Sequence, residues 1–167
     1  MKATIRPLEA ADEPFLWQML YYAARMQEEG ATSPEAAKTN AYLSKYVEGW
    51  GRPTDMGVLA LHPIHQHPIG AAWLRLLIGE QKTMSYIDDQ TPELAIALLP
   101  DYTGQGLGTQ LLTHLIAAAR EVYPAIVLSV RVNNPARHLY ERMGFVVTET
   151  VINRVGSESL NMLLRFA

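Results

Sequence analysis

The stretch that most constrains this chain lies between residues 94 and 120. An unbroken apolar run of six residues, Leu94 to Leu99, leads into Pro100-Asp101-Tyr102-Thr103 and then glycine at every second position, 104, 106 and 108. So short an apolar run, bounded by turn formers, reads as a buried strand. Beyond the glycines, Leu107, Leu111, Leu112, Leu115, Ile116, Ala119 and Val122 recur at three- and four-residue steps, which predicts an amphipathic helix. Gln110, Thr113, His114 and Arg120 fall on its polar side, and Pro124 stops it. Glycines between a strand and a helix let the backbone turn tightly and aim successive amides inward. The helix N-terminus adds about half a positive charge. The result is a socket for a diphosphate. A Rossmann frame begun at Gly104 fails at Thr109, and no P-loop Lys-Ser/Thr pair follows. A plain strand-to-helix turn is the competing reading of this loop.

The rest of the chain brackets that unit. Residues 3–8 predict a strand. Asp12 predicts a helix start, with Phe15, Leu16, Met19, Leu20 and Ala23 on one face. Thr32 and Glu35 stand at capping-box spacing around Ser33-Pro34, before a helix expected to bury Leu43, Val47 and Trp50 and to end near Gly49, Gly51 and Pro53. Residues 56–62 and 69–78 predict a hairpin around a His/Pro-rich turn. Ile126 to Val132 is a β-branched strand, and a short helix follows Pro135 and closes at Gly144. Two last strands, 145–153 and 159–166, pair around Gly156. Hairpins at the ends and strand–helix–strand in the middle imply an α/β or α+β sheet domain, partly antiparallel.

Composition excludes several classes. The 167 residues carry a formal net charge of −3, against the basic excess of a general nucleic-acid binder. With no cysteine there is no disulfide, no thiolate metal site and no cysteine nucleophile. His62, His65 and His67 share one turn, but no carboxylate or cysteine completes a ligand set, so no metal is expected. No stretch approaches the roughly 18–20 apolar residues of a membrane span, and the start Met1-Lys2-Ala3-Thr4-Ile5-Arg6-Pro7 lacks a signal peptide's apolar core. A cytoplasmic protein with no membrane partner is the expectation.

A second segment, NNPARHLYERMGF at residues 133–145, follows the Ile126–Val132 strand. Together with the glycine loop it resembles the GNAT superfamily of acyl-CoA-dependent N-acetyltransferases. That family carries an R/Q-x-x-G-x-G/A loop after its fourth strand and an N-x-x-A-x-x-L-Y-x-x-x-G-F stretch after its fifth. The second pattern is matched at Asn133, Ala136, Leu139, Tyr140, Gly144 and Phe145. The resemblance covers about residues 93–147, whereas 25–55 matches no named pattern. It implies a single acetyltransferase domain over 1–167, with 25–55 on the acceptor side. Its fold would be a GNAT-like mixed, largely antiparallel sheet of about six to seven strands with about four helices.

The resemblance also implies a chemistry. Acetyl-CoA would supply the acetyl group, and a primary amine, on a small molecule or on a peptide or protein, would accept it. Cofactor contacts fall on Leu98, Leu99 and the loop residues Thr103, Gly104, Gln105, Gly106, Leu107, Gly108 and Thr109. Beyond the fifth strand they fall on Asn133, Ala136, Arg137 and Tyr140. Backbone amides near Leu98 would polarise the thioester carbonyl. Tyr140 would protonate the leaving thiolate: a phenol near 10 and a thiol near 8.5 exchange a proton at modest cost. The attacking amine must be neutral, and deprotonating a lysine-like amine at pH 7 costs roughly 4–5 kcal/mol. Glu93 stands where many relatives place the base. Without cysteine, direct attack in a ternary complex is the simpler path.

Each assignment has a structural counterpart. Tyr140 also suits a core aromatic, Glu93 a solvated strand end, Asp101 a turn, Asn133 a cap and Arg137 a solvated helix charge. Trp73 reads as core, and Trp50 as core or acceptor pocket. Glu28, Glu29, Glu35, Glu48 and Asp55 fit a cationic acceptor or a solvated surface equally. Thr103 departs from the family's Arg/Gln, which implies weaker cofactor binding with Gln105 as a compensating contact. That departure keeps open a non-catalytic acyl-CoA-binding or sensing domain. A homodimer is common among relatives.

Overall fold

The computed structural model describes residues 1–167. Strand β1 (Thr4–Pro7) passes through a short 3-10 turn into helix α1 (Glu13–Ala23). The buried face of α1 is Leu16, Trp17, Met19, Leu20 and Tyr21, with Phe15 and Ala23 half-buried beside it. Asp12 precedes the helix without capping it through its side chain. Its carboxylate instead accepts two N–H groups of Arg6, each at 2.9 Å, and the Glu9 amide at 2.7 Å. A bidentate charged pair outweighs one cap bond, and Arg6 holds the Asp12 carboxyl below its ordinary value.

The single helix expected after Thr32 is two: α2 (Glu35–Thr39) and α3 (Ala41–Ser44). Asn40 divides them. Its backbone is extended and its side chain accepts from the Tyr42 and Leu43 amides, the local alternative that asparagine offers to a continuing helix. Ser33 Oγ, rather than Thr32, accepts the Glu35 amide, at 3.3 Å. Leu43, Val47 and Trp50 are buried, but α3 ends at Ser44 rather than near Gly49, so Val47 and Trp50 are buried from the turns beyond it.

Strands β2 (Met56–Leu61), β3 (Pro68–Arg75) and β4 (Glu93–Leu98) follow, then α4 (Leu107–Arg120), β5 (Ala125–Arg131), α5 (Ala136–Arg142), β6 (Val146–Ile152) and β7 (Glu158–Arg165). The seven strands are hydrogen-bonded in the order β1-β2-β3-β4-β5-β7-β6. The β1–β2, β2–β3, β5–β7 and β6–β7 pairs are antiparallel, and β4 is parallel to β5. This is the predicted mixed, largely antiparallel sheet. Helices number five instead of about four because Asn40 splits one. No helix is long and apolar enough to cross a membrane.

Two expectations need correction. The run ending at Leu99 is not uniformly buried: Leu94 is, but Ala95 to Leu99 are half-exposed. Helix α4 stops at Arg120, so Val122 lies outside it and is exposed, and Tyr123 turns inward instead.

The chain divides into two compact units: Met1–Arg75 with Ala95–Ile116, and Leu76–Leu94 with Ala117–Ala167. The first has an apolar core that includes Leu16, Met19, Leu20, Val47 and Trp73. Trp73 is fully buried and its indole N–H donates to the Tyr46 carbonyl at 2.9 Å. Gly57 and Gly70 belong here for want of space: a Cβ would come within 2.4 Å of Leu8 and Leu98 respectively. In the second unit Ala125, Val127 and Leu163 pack together across the β5–β7 pair.

Candidate active site

In the first unit, a 3-10 turn over Pro100–Tyr102 ends the strand and hands the chain to the glycine loop. The Tyr102 amide donates to the Leu99 carbonyl at 2.9 Å, and Thr103 Oγ1 donates to the Pro100 carbonyl at 3.1 Å. The Thr103 proton is therefore spent on the turn, and Thr103 offers a ligand only acceptor capacity. Gln105 bends back as well, its amide donating to the Asp101 carbonyl at 3.2 Å. Asp101 thus serves the turn through its carbonyl.

Gly104 and Gly106 have φ of 73° and 80°, the left-handed region. A Cβ at either would meet no atom within 4 Å, so backbone conformation rather than crowding calls for glycine there. Residues 103 to 106 are exposed, and Leu107, fully buried, pins the first turn of α4 beneath them. The first amides of a helix have no intrahelical acceptor, so the loop and the start of this 14-residue helix present donors to solvent. Leu98, Leu99 and Gly108 are half-buried and Thr109 is exposed, its carbonyl accepting from the Thr113 hydroxyl at 2.7 Å.

The His/Pro-rich turn stands beside the start of this loop. His62 Nδ1 accepts the Ile64 and His65 amides at 3.2 and 3.1 Å, and the rings of His62, His65 and His67 stack. His67 Nε2 lies 3.1 Å from the Tyr102 hydroxyl. Desolvation and the two neighbouring imidazoles push His62 below its ordinary value.

Two acidic candidates for the acceptor side are already engaged. Asp55 is buried against Arg75, its oxygens accepting at 3.0 and 2.8 Å, and Glu28 pairs with Arg25. Arg75 also donates to the Lys45 and Glu48 carbonyls, and its guanidinium lies over the Trp50 ring at 5.5 Å. Sequence reasoning missed this clamp. Its signal was a lone arginine inside the apolar stretch Ile69 to Ile78.

In the second unit, β5 ends near Arg131 and α5 begins after Pro135. Asn134, not Asn133, serves the helix start: its side-chain oxygen accepts the Ala136 amide at 2.9 Å, while Asn133 is exposed. Ala136 and Arg137 are half-buried, and Arg137 has Glu141 one turn on at 3.6 Å. Tyr140 is buried with its ring edge-on to Phe145, centroids 6.0 Å apart. The Phe145 amide donates to the Tyr140 carbonyl, and Gly144, at φ 104°, makes the reversal that brings the two rings together. Burial pushes the Tyr140 phenol above its ordinary value. The hydroxyl stays protonated at neutral pH, and its gap to a thiol is wider than residue type alone implies.

Glu93 opens β4 opposite Val127 of β5. It is not the solvated strand end that sequence allowed: the residue is 6% exposed and its Oε1 accepts the Thr83 hydroxyl proton at 2.5 Å. Beyond it lies a buried polar group around Asn161, whose amide donates to the Met84 carbonyl and to Glu149 and whose oxygen accepts from Ser85. A single asparagine inside Leu160-Asn161-Met162-Leu163-Leu164 was the sequence sign of it.

Known proteins extend this picture. The structure superimposes on Salmonella typhimurium yncA, solved with its cofactor acetyl-CoA, with a TM-score of 0.72 at 20% identity, covering 100% of this chain and 95% of that one. Against the Vibrio cholerae spermidine N-acetyltransferase in complex with CoA and spermine the TM-score is 0.67 at 21% identity, over 98% and 95% of the two chains. A 55-residue stretch is 46% identical to an N-alpha-acetyltransferase of Sulfurisphaera tokodaii, covering 31% of this chain and a third (33%) of that relative's length. The model of the acetyltransferase (GNAT) family matches residues 9–145, which takes in the glycine loop and the Asn133–Phe145 segment alike, and the chain belongs to that family.

Proposed function

We propose that this protein transfers the acetyl group of acetyl-CoA to a primary amine by direct attack. One observation carries the proposal: exposed backbone with left-handed Gly104 and Gly106 leads into the N-terminus of α4 in a chain of this family. Such a loop suits the diphosphate of coenzyme A, because donors and dipole both favour anions. Half-exposed Ala95 to Leu98, apolar and immediately before the loop, suit the less polar part of the same cofactor. Relatives solved with acetyl-CoA or with CoA and spermine support the cofactor and an amine acceptor.

The reaction balances simply. The amine nitrogen attacks the thioester carbonyl carbon, a C–N bond forms, the C–S bond breaks, and an amide and a free thiol result. Backbone amides near Leu98 stabilise the oxyanion as it develops. Glu93 takes the proton that the amine must lose, and Tyr140 first hydrogen-bonds and then protonates the departing thiolate. Burial raises the phenol, so full transfer of its proton to the thiolate costs more than the residue types alone imply.

Isothermal titration with acetyl-CoA, followed by thiol release with a panel of a polyamine, an aminoglycoside and a peptide N-terminus, tests the proposal. The chain has no cysteine, so every thiol detected comes from the cofactor. Absence of binding at millimolar acetyl-CoA overturns it. Binding without turnover on any amine identifies the acyl-CoA-sensing alternative, which Thr103, with its proton engaged by Pro100, favours.

A further inference from the structure

We infer that Thr83 is a positioning residue, holding the Glu93 carboxylate as the proton acceptor for the amine. The inference rests on the proposed role of Glu93 and goes beyond it, because residue 83 lies outside both motifs that carry the family resemblance and nothing in the sequence linked the two.

The geometry is directional. Thr83 Oγ1 lies 2.5 Å from Glu93 Oε1 and accepts the Ser85 amide at 3.1 Å. A hydroxyl has one proton. With the Ser85 amide occupying a lone pair, that proton is aimed at the carboxylate. Residues 83 to 85 are fastened in turn from β7. Ser85 Oγ donates to Asn161 Oδ1 at 3.0 Å, and the Asn161 amide donates to the Met84 carbonyl at 2.8 Å and to Glu149 Oε1 at 3.0 Å. Ser85, Glu93 and Asn161 are all buried. On the other side, the Val127 amide donates to the Pro92 carbonyl at 3.0 Å, fixing the backbone just before Glu93. The carboxylate is thus held from its backbone and from its side chain before any substrate arrives.

Such holding matters because a base acts only within hydrogen-bond reach of its proton, and misplacement by about 1 Å costs on the order of a hundredfold in rate. A donor to the ionised form also favours ionisation, opposing the tendency of burial to neutralise a carboxyl. Thr83 serves both ends through one bond, and Glu149, the other carboxylate of this network, is reached only through Asn161 in the bonds described.

Two readouts on the full chain test this. Thr83→Val keeps the shape and removes the donor; it should lower kcat about 10- to 100-fold with the KM for acetyl-CoA unchanged, and Thr83→Ser should restore kcat. Independently of turnover, side-chain carboxyl 13C NMR should show the Glu93 midpoint rise by about 0.5–1 pH unit in Thr83→Val and return in Thr83→Ser. An unmoved Glu93 midpoint overturns the inference, whether or not the protein turns over. Full activity in Glu93→Gln instead removes the reading of Glu93 as base, and with it the role given to Thr83. An inactive Glu93→Gln beside a fully active Thr83→Val removes only Thr83.

Discussion

The two segments that mark this family are built on opposite principles. The loop from Thr103 to Gly108 is made of backbone: its residues up to Gly106 are exposed, its two left-handed glycines face open space, and its side chains fold back on their own turn. The segment from Asn133 to Phe145 is made of side chains: Tyr140 and Phe145 are buried edge to face, and Gly144 exists to let them meet. The cofactor-binding role proposed for the first segment needs only amides, which every residue carries. The proton-donor role proposed for the second needs one particular group.

That contrast is broken most directly at Tyr140. Tyr140→Phe should lose about 10²- to 10⁴-fold in turnover while acetyl-CoA affinity by titration changes less than twofold; an unchanged rate removes the acid role. Phe145→Ala should cost about 3–5 kcal/mol in denaturant unfolding, since a fully packed aromatic is deleted. A loss under 1 kcal/mol would mean that the second segment does not depend on side-chain packing. On the backbone side, Gly106→Ala should cost about 1–2 kcal/mol from its left-handed φ and weaken acetyl-CoA, whereas Gln105→Ala should leave affinity nearly unchanged. Equal effects of the two would show that the loop binds through side chains after all.

The smallest expected effect concerns acid. The folded state depresses the His62 pKa, so the unfolded chain binds more protons and stability falls as pH drops through and below the ordinary histidine value near 6.5. Protonation at Nδ1 would also cancel its bonds from the Ile64 and His65 amides. Hydrogen exchange at those two amides, corrected for intrinsic rates, should accelerate between pH 6.5 and 5, while the Phe145 amide should not follow. Parallel behaviour at both sites would show that the acid response is not local to the His62 turn.

Much of this was legible without coordinates. The glycine spacing, the apolar steps of α4 and the Tyr140–Phe145 pattern are local, and local rules read them well. Asp12 was misread and Asn40 was not singled out for one reason: each side chain had several backbone or charged partners within reach, and the sequence does not rank them. Val122 failed because periodicity gives a face but not an end. The run before the loop failed because apolar residues expected in a core can also border an opening.

What the sequence determined by itself was the order of elements, the family and the residue types able to do acyl transfer, since periodicity, glycine placement and motif spacing act over a few residues. Only the tertiary structure decided which polar groups are held. Arg75 finds Asp55 across 20 residues, and Asn161 reaches Ser85 across 76. A buried polar atom must be satisfied wherever the fold brings it, and no local pattern records which partner that will be.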